Sequence, residues 1–255
     1  MPGGAVIVAH PPFTIHLFET VTSTNDLLKS MLDAPGYTCV SASEQTAGRG
    51  RAARQWHSEK GSGLYLSVLL IPEISPERIP IISLLAGVAL AEATCVLAPE
   101  LADELDIKWP NDLMIAGRKA GGILCEGISG SALRVVAGIG VNLNQERFPE
   151  ELEGTATSLL METGRSIELV KFRNLLLDRI AWWYEVLQQG DASRIVSRWA
   201  ELSTYTEGKR VRIIYPHEVK TGVTCGLSEN GALKLRRADG KVEVILAGEI
   251  EHLRE

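Results

Sequence analysis

Residues 48–56, Gly-Arg-Gly-Arg-Ala-Ala-Arg-Gln-Trp, decide which fold this chain can adopt. Gly48-x-Gly50-x-x-Ala53 loosely matches a dinucleotide-binding fingerprint, which would imply a doubly wound parallel sheet. That fingerprint works only where the loop opens a helix whose N-terminus faces a pyrophosphate. Here the chain continues as RQWHSEKGSG over residues 54–63, a run poor in helix signals, and no Walker A pattern occurs elsewhere. An anion at this loop must therefore be held mainly by side chains, and Arg49, Arg51 and Arg54 supply them. Arginine suits the task because its planar fork makes paired hydrogen bonds to phosphate oxygens and stays charged. Gly48 and Gly50 allow the backbone to fold closely over a ligand. From Gln45 to His57 there is no carboxylate.

The loop stands out because the chain is acidic. Its 255 residues carry a formal net charge of -6. The pI of about 5.5 argues against a general nucleic-acid binder, which would be basic overall. One basic loop on an acidic protein suits a small, dense anion such as phosphate. The hydrophobic fraction of 45% is enough for a real core. Cys39, Cys95, Cys125 and Cys225 lack zinc-ligand or redox-motif spacing and read as core thiols. The N-terminal MPGGAVIVAHPPF is apolar but has no basic n-region and is broken by prolines, so it reads as neither a signal peptide nor a membrane span. A cytoplasmic protein is expected.

Working outward, the pattern predicts an α+β domain followed by a small all-β one. Short strands are expected at Ile15–Glu19, Thr38–Ser43, Gly63–Ile71, Leu105–Trp109 and Ala132–Leu143. A hairpin is expected around Ala116–Gly117, with arms Asp112–Ile115 and Lys119–Glu126. Ser23-Thr24-Asn25 supplies N-cap residues for a helix over 26–32. Longer helices are predicted at Pro80–Leu97, Leu169–Gln189 and Ala192–Leu202, with Trp182-Trp183-Tyr184 read as core. The texture changes near Glu207. The runs VRIIY, TGVTCGL, ALKLRR and KVEVIL are split by turns at Glu229-Asn-Gly231 and Ala238-Asp-Gly240. Domains are accordingly placed at residues 1–206 and 207–255.

Two further clusters could carry chemistry. Lys108-Trp-Pro-Asn-Asp112 gathers a lysine, an amide and a carboxylate where a strand ends, and the hairpin beyond it brings Lys119, Gly121 and Gly122. Gly138-Ile-Gly-Val-Asn142 puts two glycines inside a strand, which weakens it unless something approaches the backbone closely. A bulge with a turn asparagine would read the same way.

Taken together and in order, Thr22-Ser-Thr-Asn25, Gln45 through Trp56, Lys108-Trp-Pro-Asn-Asp112, Arg118-Lys-Ala-Gly121 and Gly138-Ile-Gly-Val-Asn142 resemble the biotin–protein ligases. The resemblance spans nearly the whole chain. It implies a mixed sheet flanked by helices, of the class II synthetase type, with a small C-terminal SH3-like β-barrel. It implies that biotin and ATP, with Mg2+, form biotinyl-5′-adenylate, and that biotin passes to a lysine of a biotin carboxyl carrier protein. Ser23, Thr24, Asn25 and Gln45 then match the biotin contacts. Arg49 and Arg51 match the arginines that meet carboxylate and phosphate, and Trp56 matches an aromatic closing on the adenylate. Lys119, with Gly121 and Gly122, matches the acyl-phosphate region. Lys108, Asn111 and Asp112 match the ATP and acyl-transfer cluster, and Asn142 a nucleotide neighbour. Arg49, Arg51, Lys108 and Lys119 are the expected catalytic groups, Arg49 foremost, while Gly48, Gly50 and Arg54 complete the loop. Many members of that family carry glycine where this chain has Ala53.

The resemblance leaves no protein-only metal site in view and no segment to read DNA. It implies a homodimer through an exposed sheet edge near Ala132–Asn142. Two other readings fit the motifs less completely: a lipoate or octanoyl ligase or transferase of related fold, and a non-catalytic biotin-binding sensor.

Overall fold

The computed structural model describes residues 5–252, apart from positions 129, 131, 216, 247 and 248. Among these residues thirteen strands and five α-helices run in the order β1 (Val6–His10), β2 (Phe13–Val21), α1 (Thr24–Ser30), β3 (Thr38–Gln45), β4 (Gly63–Leu70), α2 (Pro80–Leu97), β5 (Leu105–Lys108), β6 (Asp112–Ile115), β7 (Arg118–Ile128) and β8 (Arg134–Asn142). Then follow α3 (Leu159–Thr163), α4 (Leu169–Gln188), α5 (Ala192–Glu201), β9 (Glu207–Ile214), β10 (Val219–Leu227), β11 (Leu233–Arg236), β12 (Val242–Ile245) and β13 (Glu249–His252).

The first eight strands form one mixed sheet in the order β1-β2-β3-β4-β8-β7-β6-β5. Only β2 and β3 are parallel, because α1 carries the chain across between them. The turn into β7 has Ala116 and Gly117 both at positive φ, 48° and 73°, the geometry of a tight hairpin turn. One face of the sheet carries α2, α4 and α5, and the other carries α1. Leu64, Leu66, Val68 and Leu70 of β4 enter the large core with α2, whereas Leu69 turns the other way to meet Val136, Val40 and Leu28 of α1. That alternation is the period-two geometry of a strand. Helix α2 is apolar on nearly all sides because twelve of its residues are buried.

Strands β9–β13 form a five-stranded antiparallel sheet in the order β12-β11-β10-β9-β13. The expected barrel has the right strands and turns, but its edge strands do not pair with each other among the described residues. This sheet is tied to the strand-end segment of the large one. Indole Nε1 of the buried Trp109 donates to Gly231 O at 3.0 Å, in the turn between β10 and β11.

Several expectations change. The lead-in forms β1, paired with β2 across the Pro11-Pro12 turn. A short α3, capped by Ser158 and ended by left-handed Gly164, was not foreseen. Of the tryptophan pair, Trp183 is buried, but Trp182 is 44% exposed with Arg194 over its ring. Strand β8 is interior, flanked by β4 and β7, so 132–142 cannot serve as a sheet edge; the edges are β1 and β5.

Candidate functional site

The site's floor is a patch of glycines. Register pairs Gly138 with Ser67 and Leu124, and Gly140 with Tyr65 and Gly122, so these residues share the sheet face that also carries α1. Ile139 and Val141 point into the core on the other side. The glycines are required because side chains lie directly above them. A Cβ on Gly138 would sit 2.2 Å from Asn25 Oδ1, and one on Gly140 would sit 2.4 Å from Cε2 of Trp56. A Cβ on Gly122 would be 3.0 Å from the Trp56 ring and 3.2 Å from Lys119 Nζ. Thus Gly138-x-Gly140 is a surface that accepts flat groups at van der Waals distance. Gly121 faces away, toward Leu90 of α2, and belongs to the core side.

The arginine stretch folds back on itself as a small hairpin. Trp56 N donates to Gly48 O at 2.9 Å and Gly50 N to Arg54 O at 2.7 Å, with a bridge between Arg49 and Gln55. A single 3-10 turn, Arg51–Ala53, forms the tip. Ala52, not Ala53, takes the left-handed conformation, φ 52° and ψ 39°. Such a conformation disfavours any residue with a Cβ. The hairpin lays Trp56 over the floor. Its buried Nε1 has no hydrogen-bond partner among the described residues, and Lys119 Nζ stands 5.5 Å from its ring centroid.

At one end of the floor the predicted contacts converge on α1. Ser23 caps the helix, its Oγ accepting from Asp26 N. Gln45 Oε1 accepts from Thr24 N and Oγ1 at 2.9 and 3.0 Å, and its Nε2 donates to Ser58. Ser67 Oγ donates to Asn25 Oδ1 at 2.6 Å. Arg49 Nη2 donates to Asp26 Oδ1 at 2.6 Å and to both oxygens of Glu126 at 2.9 and 3.1 Å. Glu126 also accepts from Asn25 Nδ2 at 2.8 Å and Lys29 Nζ at 2.9 Å. Burial works to raise the Glu126 carboxyl, but hydrogen bonds from Lys29 and Asn25 and the charges of Lys29 and Arg49 outweigh it and leave it below the usual carboxylate range.

At the other end Lys119 Nζ pairs with Asp112 Oδ1 at 2.6 Å, and Arg51 Nη1 donates to Asn111 Oδ1 at 3.4 Å. Burial pulls the Arg51 guanidinium down from its ordinary range, and Asp112 works against that pull. Two cations here share one carboxylate, so this end favours a further anion. Asn111 is buried and also donates to Ile123 O at 2.6 Å, which fixes the strand end. Lys108 lies opposite Asp112 in the β5–β6 register.

Asn142 lies behind the Lys119 end, its Nδ2 donating to Lys119 O at 3.5 Å. Its buried amide donates to Thr157 O at 2.9 Å and fastens the chain after β8. Among the described residues no group of three His, Cys, Asp or Glu side chains gathers where it could hold a metal. Asp26, Lys29, Ser67 and Glu126 complete the site but were not singled out by sequence. Glu126 carried a usable signal, because it follows Gly122 by four residues in a strand and therefore shares its face.

Comparison with known proteins gives this geometry a context. Residues 17–144 match the biotin/lipoate A/B protein ligase family, and residues 206–253 match the biotin protein ligase C-terminal domain. The chain is 33% identical over 245 residues to a biotin–[acetyl-CoA-carboxylase] ligase of Paracoccus denitrificans, covering 92% of this chain and 98% of the relative. It is 32% identical over 240 residues to the bifunctional ligase/repressor BirA of Salmonella typhimurium, covering 92% and 73% respectively. Among solved structures, biotin protein ligase from Aquifex aeolicus in complex with biotin and ATP superposes with a TM-score of 0.81 at 30% identity, over 94% of this chain and 99% of that one.

Proposed function

Because this chain belongs to the biotin/lipoate A/B protein ligase family, we propose that it activates biotin with ATP and transfers it to a lysine of a biotin carboxyl carrier protein. The observation that carries this reading is the pairing of a flat glycine floor under Trp56 with the Arg51–Lys119–Asp112 cluster beside it. A fused-ring acid can lie against the Trp56 indole that covers this floor, with its carboxylate directed at the cationic end.

In the first half-reaction a biotin carboxylate oxygen attacks the α-phosphorus of ATP. The new P–O bond forms as the bond to the β-phosphate bridge breaks, and pyrophosphate leaves with that electron pair. Arg51 and Lys119 offset the repulsion between the two anions and the charge that builds in the transition state. Lys108, Asn111 and Asp112 are assigned to the phosphate side. Arg54, beside Gly50, brings further charge of the loop, Gly48 and Arg49 hold the loop against α1 and β7, and Trp56 keeps water from the mixed anhydride. Ser23, Thr24, Asn25 and Gln45 hold the biotin rings, with Gly122 and Asn142 framing the far side and Gly121 supporting from beneath. In the second half-reaction the carrier's lysine amine attacks the acyl carbon. An amide forms, AMP leaves, and the amine proton is released. Magnesium would come with ATP, its ligands drawn mainly from the phosphates, where it would neutralise their charge.

The remaining assignments are expectations of the same reading: a catalytic part over residues 1–206, a C-terminal part over 207–255, a cytoplasmic location and no DNA partner. A homodimer is assigned to edge strand β1, where Val6 and Ile7 stand 63% and 62% exposed. Light scattering at the dimer mass supports it, and a monomeric mass with biotin and ATP present removes it.

The deciding experiment is biotin-dependent exchange of labelled pyrophosphate into ATP, followed by label transfer to a carrier domain. Exchange with biotin and transfer to carrier is the expected result. Exchange with lipoate alone would move the assignment to the lipoate branch of the family. Biotin binding without exchange would make the protein a sensor.

A further inference from the structure

We propose that Glu126 is a positioning residue that fastens the arginine hairpin to the floor of the site, acting through Arg49 and Asn25. Its carboxylate joins α1, the hairpin and β7 at one point, with Arg49 as its partner across the same junction. Oε1 accepts from Lys29 of α1, both oxygens accept from Arg49 of the hairpin, and Oε2 accepts from Asn25, which itself sits on Gly138. Asn25 is locked in turn by Ser67 from β4 and by the Leu124 carbonyl from β7, at 2.6 and 3.2 Å. The carboxylate is only 23% exposed. A carboxylate withdrawn from water is tolerated where it is paired and fully hydrogen-bonded, and this one is.

The charge balance defines the role. Lys29 and Arg49 face Asp26 and Glu126, two against two, so this cluster carries no excess positive charge to attract an anion. Arg49 acts here as a latch. Its hold keeps Trp56, seven residues further on, seated over Gly140. This role rests on the proposed adenylating reading only for its kinetic consequence; the latch itself is a property of the ligand-free chain.

The test uses the full chain with Glu126→Gln, Arg49→Met and the double variant. Trypsin cleavage after Arg51 and Arg54, mapped by mass spectrometry on ligand-free protein, reads opening of the hairpin. Losing one part-buried charged contact should raise cleavage about tenfold in each single variant, more than the accompanying fall in global melting temperature accounts for. In pyrophosphate exchange the variants should raise the KM for biotin about tenfold with little change in kcat, and the double variant should be no worse than either single. Unchanged cleavage, or effects of the two substitutions that multiply, would overturn the proposal. Should Glu126→Gln fail to fold, Arg49→Met alters only the exposed side of the pair and gives the same cleavage reading. If the wild-type chain shows no exchange, the adenylating reading fails while the cleavage result still judges the latch.

Discussion

The two ends of the glycine floor use the same kinds of side chain to opposite effect. Around α1, two cations meet two carboxylates and the charge is closed. Around β6 and β7, Arg51 and Lys119 share Asp112 and the charge stays open. Arg49 and Arg51 stand two residues apart in one loop, yet Arg49 meets two carboxylates while Arg51 is held back by burial and meets Asp112 only through its charge. Proximity in sequence shows that charge is gathered; only the fold shows which of it is already satisfied. On the proposed reading, Arg51 carries more of the transition-state charge than Arg49.

The comparison is broken most directly at its open end. Arg51→Ala should lower the rate of pyrophosphate exchange by about 10²–10³, the cost of losing one donor to a developing oxyanion, while a change at Arg49 costs about tenfold. Equal losses in steady-state kinetics would erase the distinction. Next, Gly140→Val would drive a side chain into Trp56. Overpacking of about 1–3 kcal/mol is expected, enough to unseat the indole and weaken biotin binding by at least about tenfold in calorimetric titration. Ala52→Gly should stabilise the chain by about 0.5 kcal/mol in urea unfolding, because it relieves a left-handed alanine but gives back part of the gain as chain entropy. The smallest effect concerns pH. The Glu126 carboxyl lies below its ordinary range. Its contribution is therefore present above the unfolded value and is lost as pH falls below the ordinary carboxylate range through the folded one. Stability measured from pH 6 to 3 should fall less steeply in Glu126→Gln than in the wild type.

Much of this was legible before any coordinates. The 116–117 turn announced its hairpin because Ala-Gly between apolar runs leaves few conformations, and the cap at Ser23 announced α1. The glycines of 138 and 140 announced a close approach, and the approaching groups are Asn25 and Trp56. The dinucleotide reading was rightly set aside, since the loop returns as a hairpin rather than opening a helix. What escaped depended on partners remote in sequence. Glu126 lies 101 residues from Asn25 and 77 from Arg49, and no local pattern records such a meeting. Strand β1 escaped because its Val6 and Ile7 face solvent and its turn is built from two prolines, so it lacks both alternation and an ordinary turn signal. The interior position of β8 escaped because strand order is set by long-range pairing.

The bond from Trp109 to Gly231 has a bearing on how the molecule comes apart. The tryptophan is buried beside the segment that carries Asn111 and Asp112, and its acceptor lies in a turn of the C-terminal sheet. A Cβ on that same Gly231 would come within 2.4 Å of Leu84 in α2, so the turn is wedged against the main core as well as bonded to it. The small sheet is thus a splint across the strand end that presents the open-charge cluster. Heat should not detach it as an independent module: the last strands and the cationic end of the site belong to one cooperative melting unit.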